Sequence, residues 1–211
     1  MADPIVPSSD KNNNQHKQRP NRKLIYGVGV VDVPYVPVDH KQKFTCPFYQ
    51  VWWSMLTRCY SSKFHKGRPT YIGCNITPEW HSLSIFRGWM EKQNWQGMHL
   101  DKDFLSDSKV YGPDTCVFIP AWLNTIFKTH PKDSELPVGV KPNGVGRYQS
   151  RLRIRGKTVC LGTFASPSLA HAAYVEAKTK YVRSRYPEIE QIDARLVAAC
   201  ERRISQINSG F

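Results

Sequence analysis

Apolar residues recur at helical spacing in three stretches of the front half of the chain. The spacing predicts helices at 46–62, 77–95 and 121–128. Proline stands near the start of the first two stretches, where its fixed φ suits the first helical turn, and Thr77 is the predicted cap of the second. The tryptophans in these stretches are expected in the core, because large apolar side chains are usually buried.

The pattern becomes strand-like at both ends of this helical part. A β-rich segment interrupted by prolines at 23–38 predicts an edge strand or an extended arm. From residue 139 onward, apolar and polar residues alternate, which predicts strands with "RGK" at 155–157 as the turn between two of them. A helix is then expected from Ser166, a good capping residue, followed by Pro167.

A last helix is predicted at about 190–207, where apolar residues form one stripe. Two functions of this stripe remain open from the sequence, packing on the body of the protein and the contact of a homodimer. The stripe consists of Ile192, Leu196, Cys200, Ile204 and Ile207.

Together these elements predict an α+β protein with two folded parts. Residues 1–22 are polar and basic, and a disordered tail is expected there. A first domain at 23–130, a linker at 131–138 and a second domain at 139–186 follow, the last being a three-stranded antiparallel sheet packed on a helix. Residues 187–211 are assigned to the C-terminal helix.

The charge of the chain favours a polyanionic partner. Lysine and arginine number 30 against 17 aspartates and glutamates, so the formal net charge is +13. Nucleic acid is the simplest such partner. A membrane surface fits less well, because the basic residues lie on strand-like segments and not on one amphipathic helix.

Targeting and cysteine patterns point to a cytoplasmic protein. No apolar run of ~18 residues predicts a membrane span, and the first residues lack the pattern of a secretion signal. The six cysteines are therefore expected as thiols or metal ligands and not in disulfides. Structural zinc is not expected, because no Cys-x-x-Cys pair occurs among Cys46, Cys59, Cys74 and Cys116.

One predicted strand carries a cationic face. Alternation along 147–155 places Tyr148, Ser150, Leu152 and Ile154 toward the helix. The odd-numbered residues of this stretch then face solvent. Arginine binds guanine or phosphate in bidentate fashion, so the expected partner is double-stranded DNA, with a solvated basic face as the alternative. The candidate DNA-binding residues are Arg147, Gln149, Arg151, Arg153 and Arg155, with Lys157 in the turn.

This second domain resembles the DNA-binding domain of plant ethylene-response factors, the Apetala-two type, which also occurs in phage and homing endonucleases. The matching residues are "GV" at 139–140, "GRYQSRLRIRGKTVCLGTF" and "AHAAYVEA". The resemblance implies a sheet that lies in the major groove of DNA and a helix that supports it. The tryptophans that plant members carry in the sheet are missing here.

Residues 97–127 resemble the HNH, or ββα-metal, nuclease finger. "LDKD" stands where the family has Asp-His, "DTCVFIP" where the chain returns, and "AWLNTIF" supplies Asn124. The resemblance implies that Asp101 and Asn124 hold Mg²⁺ or Mn²⁺, with Asp103 as a third oxygen donor. With the finger first and the Apetala-type domain second, the chain resembles phage-encoded HNH proteins with an Apetala-type tail. This resemblance covers most of the chain beyond residue 22.

Lys102 takes the place of the histidine that serves as general base in that family. A lysine titrates near ~10.4 and is protonated at neutral pH, so Lys102 is expected to hold a phosphate instead. His99 shares a strand face with Asp101 by its spacing and is the expected substitute base, with His81 as another choice. Thr115 stands where the family often has asparagine.

The expected function is that of a metal-dependent DNA endonuclease or nickase of phage type, acting in the host cytoplasm. The alternative is a catalytically degenerate DNA-binding regulator on the same scaffold. An interaction protein that blocks a host factor is a third class, supported only by small size and high charge.

Overall fold

The computed structural model describes residues 24–128 and 135–208, and it is an α+β protein. The predicted tail at 1–22 lies outside the described residues, as do the first half of the predicted linker and the last three residues. The α-helices are α1 (Pro47–Tyr60), α2 (Ser62–Gly67), α3 (Leu83–Met90), α4 (Ala121–Ile126), α5 (Pro167–Arg183), α6 (Tyr186–Ile192) and α7 (Arg195–Asn208).

The strands form small separate sheets. β1 (Val38–Asp39) pairs antiparallel with β2 (Phe44–Thr45), and β3 (Asn75–Ile76) pairs in parallel with β5 (Val110–Tyr111). β4 (Met98–Asp101) and β6 (Val117–Pro120) are antiparallel. The largest sheet has the order β7 (Val140–Pro142), β8 (Tyr148–Ile154) and β9 (Lys157–Phe164), with both pairings antiparallel.

A front core surrounds α1 and α3. Trp52 and Trp80 are fully buried in it, as the apolar spacing predicted. The extended arm at 24–37 packs on this core, and Gly29 lies so close to α1 that an added Cβ would meet Leu56 Cδ1 at 2.7 Å. A side chain at residue 29 would therefore require Leu56 to shift.

The predicted helix at 77–95 is interrupted at Ser82. A 3₁₀ turn covers Pro78–His81, Thr77 forms no side-chain cap, and α3 begins after Ser82, whose hydroxyl accepts the amide hydrogen of Ile85. The arm causes the break, because the amide of Val30 donates to His81 and its carbonyl accepts from Leu83. The helical spacing was right, but a distant segment replaces the helical hydrogen bonds.

A rear core joins the two predicted domains. Side chains of β6 and α4, such as Val117, Ile119 and Leu123, pack with Val182 of α5 and with residues of α6 and α7. The segment predicted as a linker therefore does not separate two independent cores, and the last helices are docked on the front part of the chain. This packing stabilises one arrangement of the two parts.

The C-terminal stripe is covered by its own chain. Leu196, Cys200 and Ile204 are buried in the rear core, so packing on the body accounts for these three residues, while Ile192 and Ile207 are half-buried. The single predicted helix is two helices, because Asp193 is extended and its carboxylate accepts the amide hydrogen of Arg195 at 2.9 Å.

The sheet of β7, β8 and β9 packs on α5, as predicted. Ser150 and Leu152 are buried toward the helix, and Ser166 caps α5 by accepting the amide hydrogen of Leu169. The turn between β8 and β9 consists of Arg155 and Gly156, both with positive φ, which is the geometry of a tight hairpin.

Candidate active site and nucleic-acid interface

The stretch predicted as a nuclease finger folds into two antiparallel strands followed by a short helix. Asp101 at the end of β4 pairs with Val117 in β6, and α4 follows β6 directly. Alternation along β4 directs Leu100 into the front core, while His99 and Asp101 lie on the other face. The region of the finger resemblance thus contains an antiparallel strand pair and a short helix, with β5 in the connection between the two strands.

A cleft of about 520 Å³ opens over β4, between α1 and α4. The five proposed finger residues all line it, namely His99, Asp101, Lys102, Asp103 and Asn124. Gln50, Ser54 and Arg58 recur every fourth residue of α1 and form the opposite wall. Sequence-distant residues with complementary chemistry therefore meet in one place.

The cleft also contains cationic residues that the motif did not predict. Arg58 lies on α1, Arg68 follows α2, and Lys128 stands one turn after Asn124. The i, i+4 spacing of Asn124 and Lys128 was readable from the sequence, whereas the approach of α1 to β4 was not. These residues give the cleft the charge that a phosphodiester requires.

Asp101 is held by a local turn. Its Oδ1 accepts the amide hydrogens of Asp103 at 2.8 Å and Phe104 at 2.7 Å. Among the described residues, the hydrogen bonds to this carboxylate all end on Oδ1, so Oδ2 is the oxygen left for a ligand. Burial raises the pKa of Asp101, and the charge of Asp103 adds to that effect, so a cation would be favoured here.

Lys102 is among the residues that line the cleft, but its side chain is almost fully buried. It is only 5% exposed, and its ammonium donates to the Asp103 carboxylate and to the Ser108 carbonyl at 3.2 Å. Burial alone would lower the pKa of Lys102, but the hydrogen bond and charge of Asp103 outweigh it, and the pKa is raised. Lys102 is therefore a protonated residue that fixes the loop.

Asp103 is exposed at the rim of the cleft, and its carboxylate is paired with Lys102. This pairing competes with the expected role of Asp103 as a third metal ligand. The loop that contains Asp103 is held from behind by α7, because Arg203 donates to the Asp103 carbonyl and Arg202 donates to the Leu105 carbonyl at 2.6 Å. No sequence pattern pointed to these two arginines.

His81 and Thr115, which the sequence also singled out, have structural partners away from the cleft. His81 lies outside the residues that line the cleft, with its Nε2 at 3.2 Å from the hydroxyl of Tyr60. The hydroxyl of Thr115 donates to the Val110 carbonyl at 2.7 Å and so closes the loop before β6. Of the two candidate bases, only His99 is placed beside Asp101.

The donors in the cleft fit a magnesium-like ion. Mg²⁺ keeps several waters and is usually bound by one or two carboxylates together with substrate phosphates. Asp101 and Asn124 supply one carboxylate and one amide oxygen on adjacent walls of the cleft. Within 24–128 and 135–208, no three His, Cys, Asp or Glu residues are grouped to hold a metal without such help.

The cysteines considered for zinc are thiols in the described structure. Cys59, Cys74 and Cys116 lie in the front core. Burial raises the pKa of Cys59 and of Cys116 to about 12, which favours the protonated form of both thiols.

The outer face of the sheet carries part of the predicted arginine set. Arg151 and Arg153 are exposed in β8, opposite Cys160 and Thr158 of β9, and Gln149 Oε1 accepts from Arg151 Nε at 2.5 Å. Arg147 is exposed just before β8 and Lys157 is exposed at the start of β9.

Arg155 leaves this face. It occupies the hairpin turn with φ 47°, and one guanidinium nitrogen lies 3.9 Å from Glu188 Oε2. The strand alternation along 147–153 therefore does not continue to Arg155, a turn residue with positive φ.

Two broader findings bear on the setting of the site. None of the helices in the described ranges is both long and apolar enough to cross a membrane. No protein-family model matches the chain, and neither the curated proteins nor the solved structures contain a match.

Proposed function

We propose that the chain is a metal-dependent DNA endonuclease or nickase of HNH type, with DNA held by a C-terminal sheet of Apetala type. The observation that supports this most is the meeting of His99, Asp101 and Asn124 in one cationic cleft. A strand pair and a short helix, the elements that the motif resemblance implies, bring these three residues together.

Asp101 and Asn124 would hold Mg²⁺ or Mn²⁺, through Asp101 Oδ2 and the Asn124 amide oxygen. The ion, when bound, supplies positive charge to the phosphate and to the departing oxygen. Asp103 would join these ligands only after its carboxylate separates from Lys102. The turn that fixes Asp101 Oδ1 keeps the carboxylate oriented toward the cleft.

The protein's own side chains would perform the remaining steps. Arg58, Arg68 and Lys128 would bind the phosphates on both sides of the cut and orient the strand. His99 is exposed on β4 beside Asp101 and would accept a proton from the attacking water, the usual role of imidazole in hydrolysis. Lys102 would take no part in proton transfer, because its ammonium is buried and paired.

The sheet would bind duplex DNA through Arg151 and Arg153, with Arg147, Gln149 and Lys157 beside them. Glu176 is the one acidic residue in the sequence of the sheet and α5, and it lies on the helix. The outer face of the sheet is therefore cationic. A two- or three-stranded ribbon of this kind has the width to enter a major groove.

A second candidate function is a DNA-binding regulator on the same scaffold. The observation that favours it is Lys102, which occupies the position of the family's base and is buried as a cation. Such a protein would bind DNA with the same sheet and cleave none.

The test of catalysis is cleavage of supercoiled plasmid with Mg²⁺, with Mn²⁺ and with EDTA. Asp101→Asn keeps an oxygen for the loop amides but removes the negative charge, so cleavage should fall by at least a hundred-fold while DNA binding persists. Asp107→Asn is the matched control, since Asp107 is exposed in the same loop and does not line the cleft. Equal cleavage by the two variants would exclude this site, and an inactive wild-type protein that binds DNA would favour the regulator.

The test of the sheet is duplex affinity at several salt concentrations. Arg151→Ala and Arg153→Ala should each weaken binding by about 1–3 kcal/mol where they read a base, or lower the salt slope by about one where they bind phosphate. Lys180→Ala, on the exposed side of α5, is the control and should leave both unchanged. Identical behaviour of all three variants would remove the sheet from the DNA interface.

A further inference from the structure

The short helix α4 separates the cleft from the arginine-bearing sheet. One side of α4 presents Asn124 and Lys128 to the cleft. The other side, with Ala121 and Thr125, borders a groove of about 670 Å³ whose far wall is the β8–β9 hairpin. The two candidate DNA sites are therefore neighbours with one helix between them.

Arg153 links this groove to the outer face of the sheet. It lines the groove beside α4, and it also lines a depression on the outer face together with Arg151 and Lys141. Arg155 borders the groove from the hairpin turn, where its side chain is 58% exposed. Cationic groups thus continue from the sheet, past α4, to Lys128 at the cleft.

The exposed surface of α4 carries no opposing charge. Ala121 and Thr125 are exposed on it and Lys128 is exposed just beyond its end, so the net charge of the three residues is that of the lysine. Glu188 is the acidic neighbour at the groove, and it is shared by Arg155 and Arg185. A polyanion that crosses α4 would therefore meet positive or neutral groups along its path.

The rear core fixes the distance between the two sites. Leu123 and Ile126 of α4 are buried against residues of α5, α6 and α7, and α4 also lies against β8. The sheet is packed on α5, so cleft, helix and sheet belong to one packed unit.

We propose that one DNA duplex crosses α4. The sheet and the cleft bind this same duplex, and the exposed face of α4 lies against the DNA backbone between the two sites. This inference rests on the proposed function and adds a geometric rule to it. The cut falls at a constant offset from the tract held by the sheet.

The size of the offset follows from the helix between the sites. An α-helix with its side chains is ~10 Å across, and B-form DNA rises 3.4 Å per base pair, so roughly three base pairs lie over α4. The cut should therefore lie within about one helical turn, ~10 base pairs, of the bases protected by the sheet.

The experiment uses the full chain and a duplex selected for tight binding from a random pool. Hydroxyl-radical footprinting in EDTA should give one continuous protected tract, and Mn²⁺ should then produce a cut at one position inside or at the edge of that tract. Two protected tracts separated by freely cleaved nucleotides, or cuts spread over many positions, would overturn the inference.

Paired substitutions test the contact of α4. Thr125→Glu places a negative charge on its exposed face and should weaken binding about ten-fold, while Ala172→Glu introduces the same charge on the exposed side of α5 and should change affinity less than two-fold. Equal effects of the two changes count against the proposal. If Arg151→Ala weakens binding while Thr125→Glu behaves like Ala172→Glu, the proposed function stands and the crossing of α4 does not.

Discussion

The guanidinium of Arg203 in α7 donates a hydrogen bond to the carbonyl of Asp103 and lies 4.6 Å from the ring centroid of Phe104. Asp103 and Phe104 are the residues whose amides hold the carboxylate of Asp101. The last helix thus supports the proposed metal ligand through one intervening turn, and Arg203 is a positioning residue.

Arg203→Ala should lower cleavage about ten-fold and raise the Mn²⁺ concentration for half-maximal activity, because the turn around Asp101 loses its support. Duplex affinity should stay within two-fold, which separates positioning from binding. Gln206→Ala, exposed on the same helix, is the control. A loss of stability without any change in metal dependence would assign Arg203 a purely structural role.

Lys102→Met should reduce stability by about 1–3 kcal/mol, because the substitution removes a buried ammonium that serves Asp103 and Ser108. Below the unfolding temperature, turnover should remain within a few-fold of the wild-type value. Thermal unfolding and plasmid cleavage measure the two effects. A variant that is stable but inactive would return Lys102 to the role of a phosphate ligand.

The sequence predicted local structure well where neighbouring residues decide it. Ser166 and Pro167 begin α5, and the spacing of Trp52, Met55 and Leu56 gives α1. The break at Ser82 was not predictable from local pattern, because Asp32 accepts hydrogen bonds from Ser82 and Ser84 and the arm pairs with the chain on both sides.

The same distinction applies to the candidate site. His99, Asp101 and Asn124 were found through a motif resemblance and strand spacing, since their order along the chain carries the signal. Arg58 was missed because its role depends on where α1 lies in the fold. The burial of Lys102 was also unpredictable, since it depends on Ser108 and on Tyr111, whose ring centroid lies 5.8 Å from the ammonium.

Lys178 should make stability depend on alkaline pH. It is 4% exposed beside Phe127 and Tyr174, no described residue forms an ion pair with it, and burial lowers its pKa to about 8. The unfolded chain therefore binds more protons between pH 8 and about 10.5, so this residue makes the free energy of unfolding rise with pH in that window.

Lys178→Met should remove this rise and stabilise the protein at neutral pH, on the order of a few kcal/mol. Lys180→Met is the matched control, since Lys180 is exposed on the same helix. Urea unfolding at pH 7 and pH 9.5 measures both. If the difference in unfolding free energy between the wild-type protein and Lys178→Met were the same at both pH values, the amine would be hydrated or paired.

A comparison of Gly139 with Gly144 separates the cost of backbone strain from the cost of a steric clash. Both have φ near 80°, but an added Cβ at Gly139 would lie 2.2 Å from Tyr174 Cδ2, whereas Gly144 has nothing within 4 Å. Gly144→Ala should lose about 1–2 kcal/mol from strain, and Gly139→Ala should lose clearly more. Equal losses in thermal unfolding would mean that the ring of Tyr174 moves away at little cost.

The shared rear core has a consequence for the order in which the protein is made. Translation delivers β6 and α4 before α6 and α7, which cover Val117 and Ile119 and hold the loop after Asp101. A nascent chain therefore carries both proposed metal ligands before their support exists. The proposed cutting site is therefore completed only after α7 has left the ribosome.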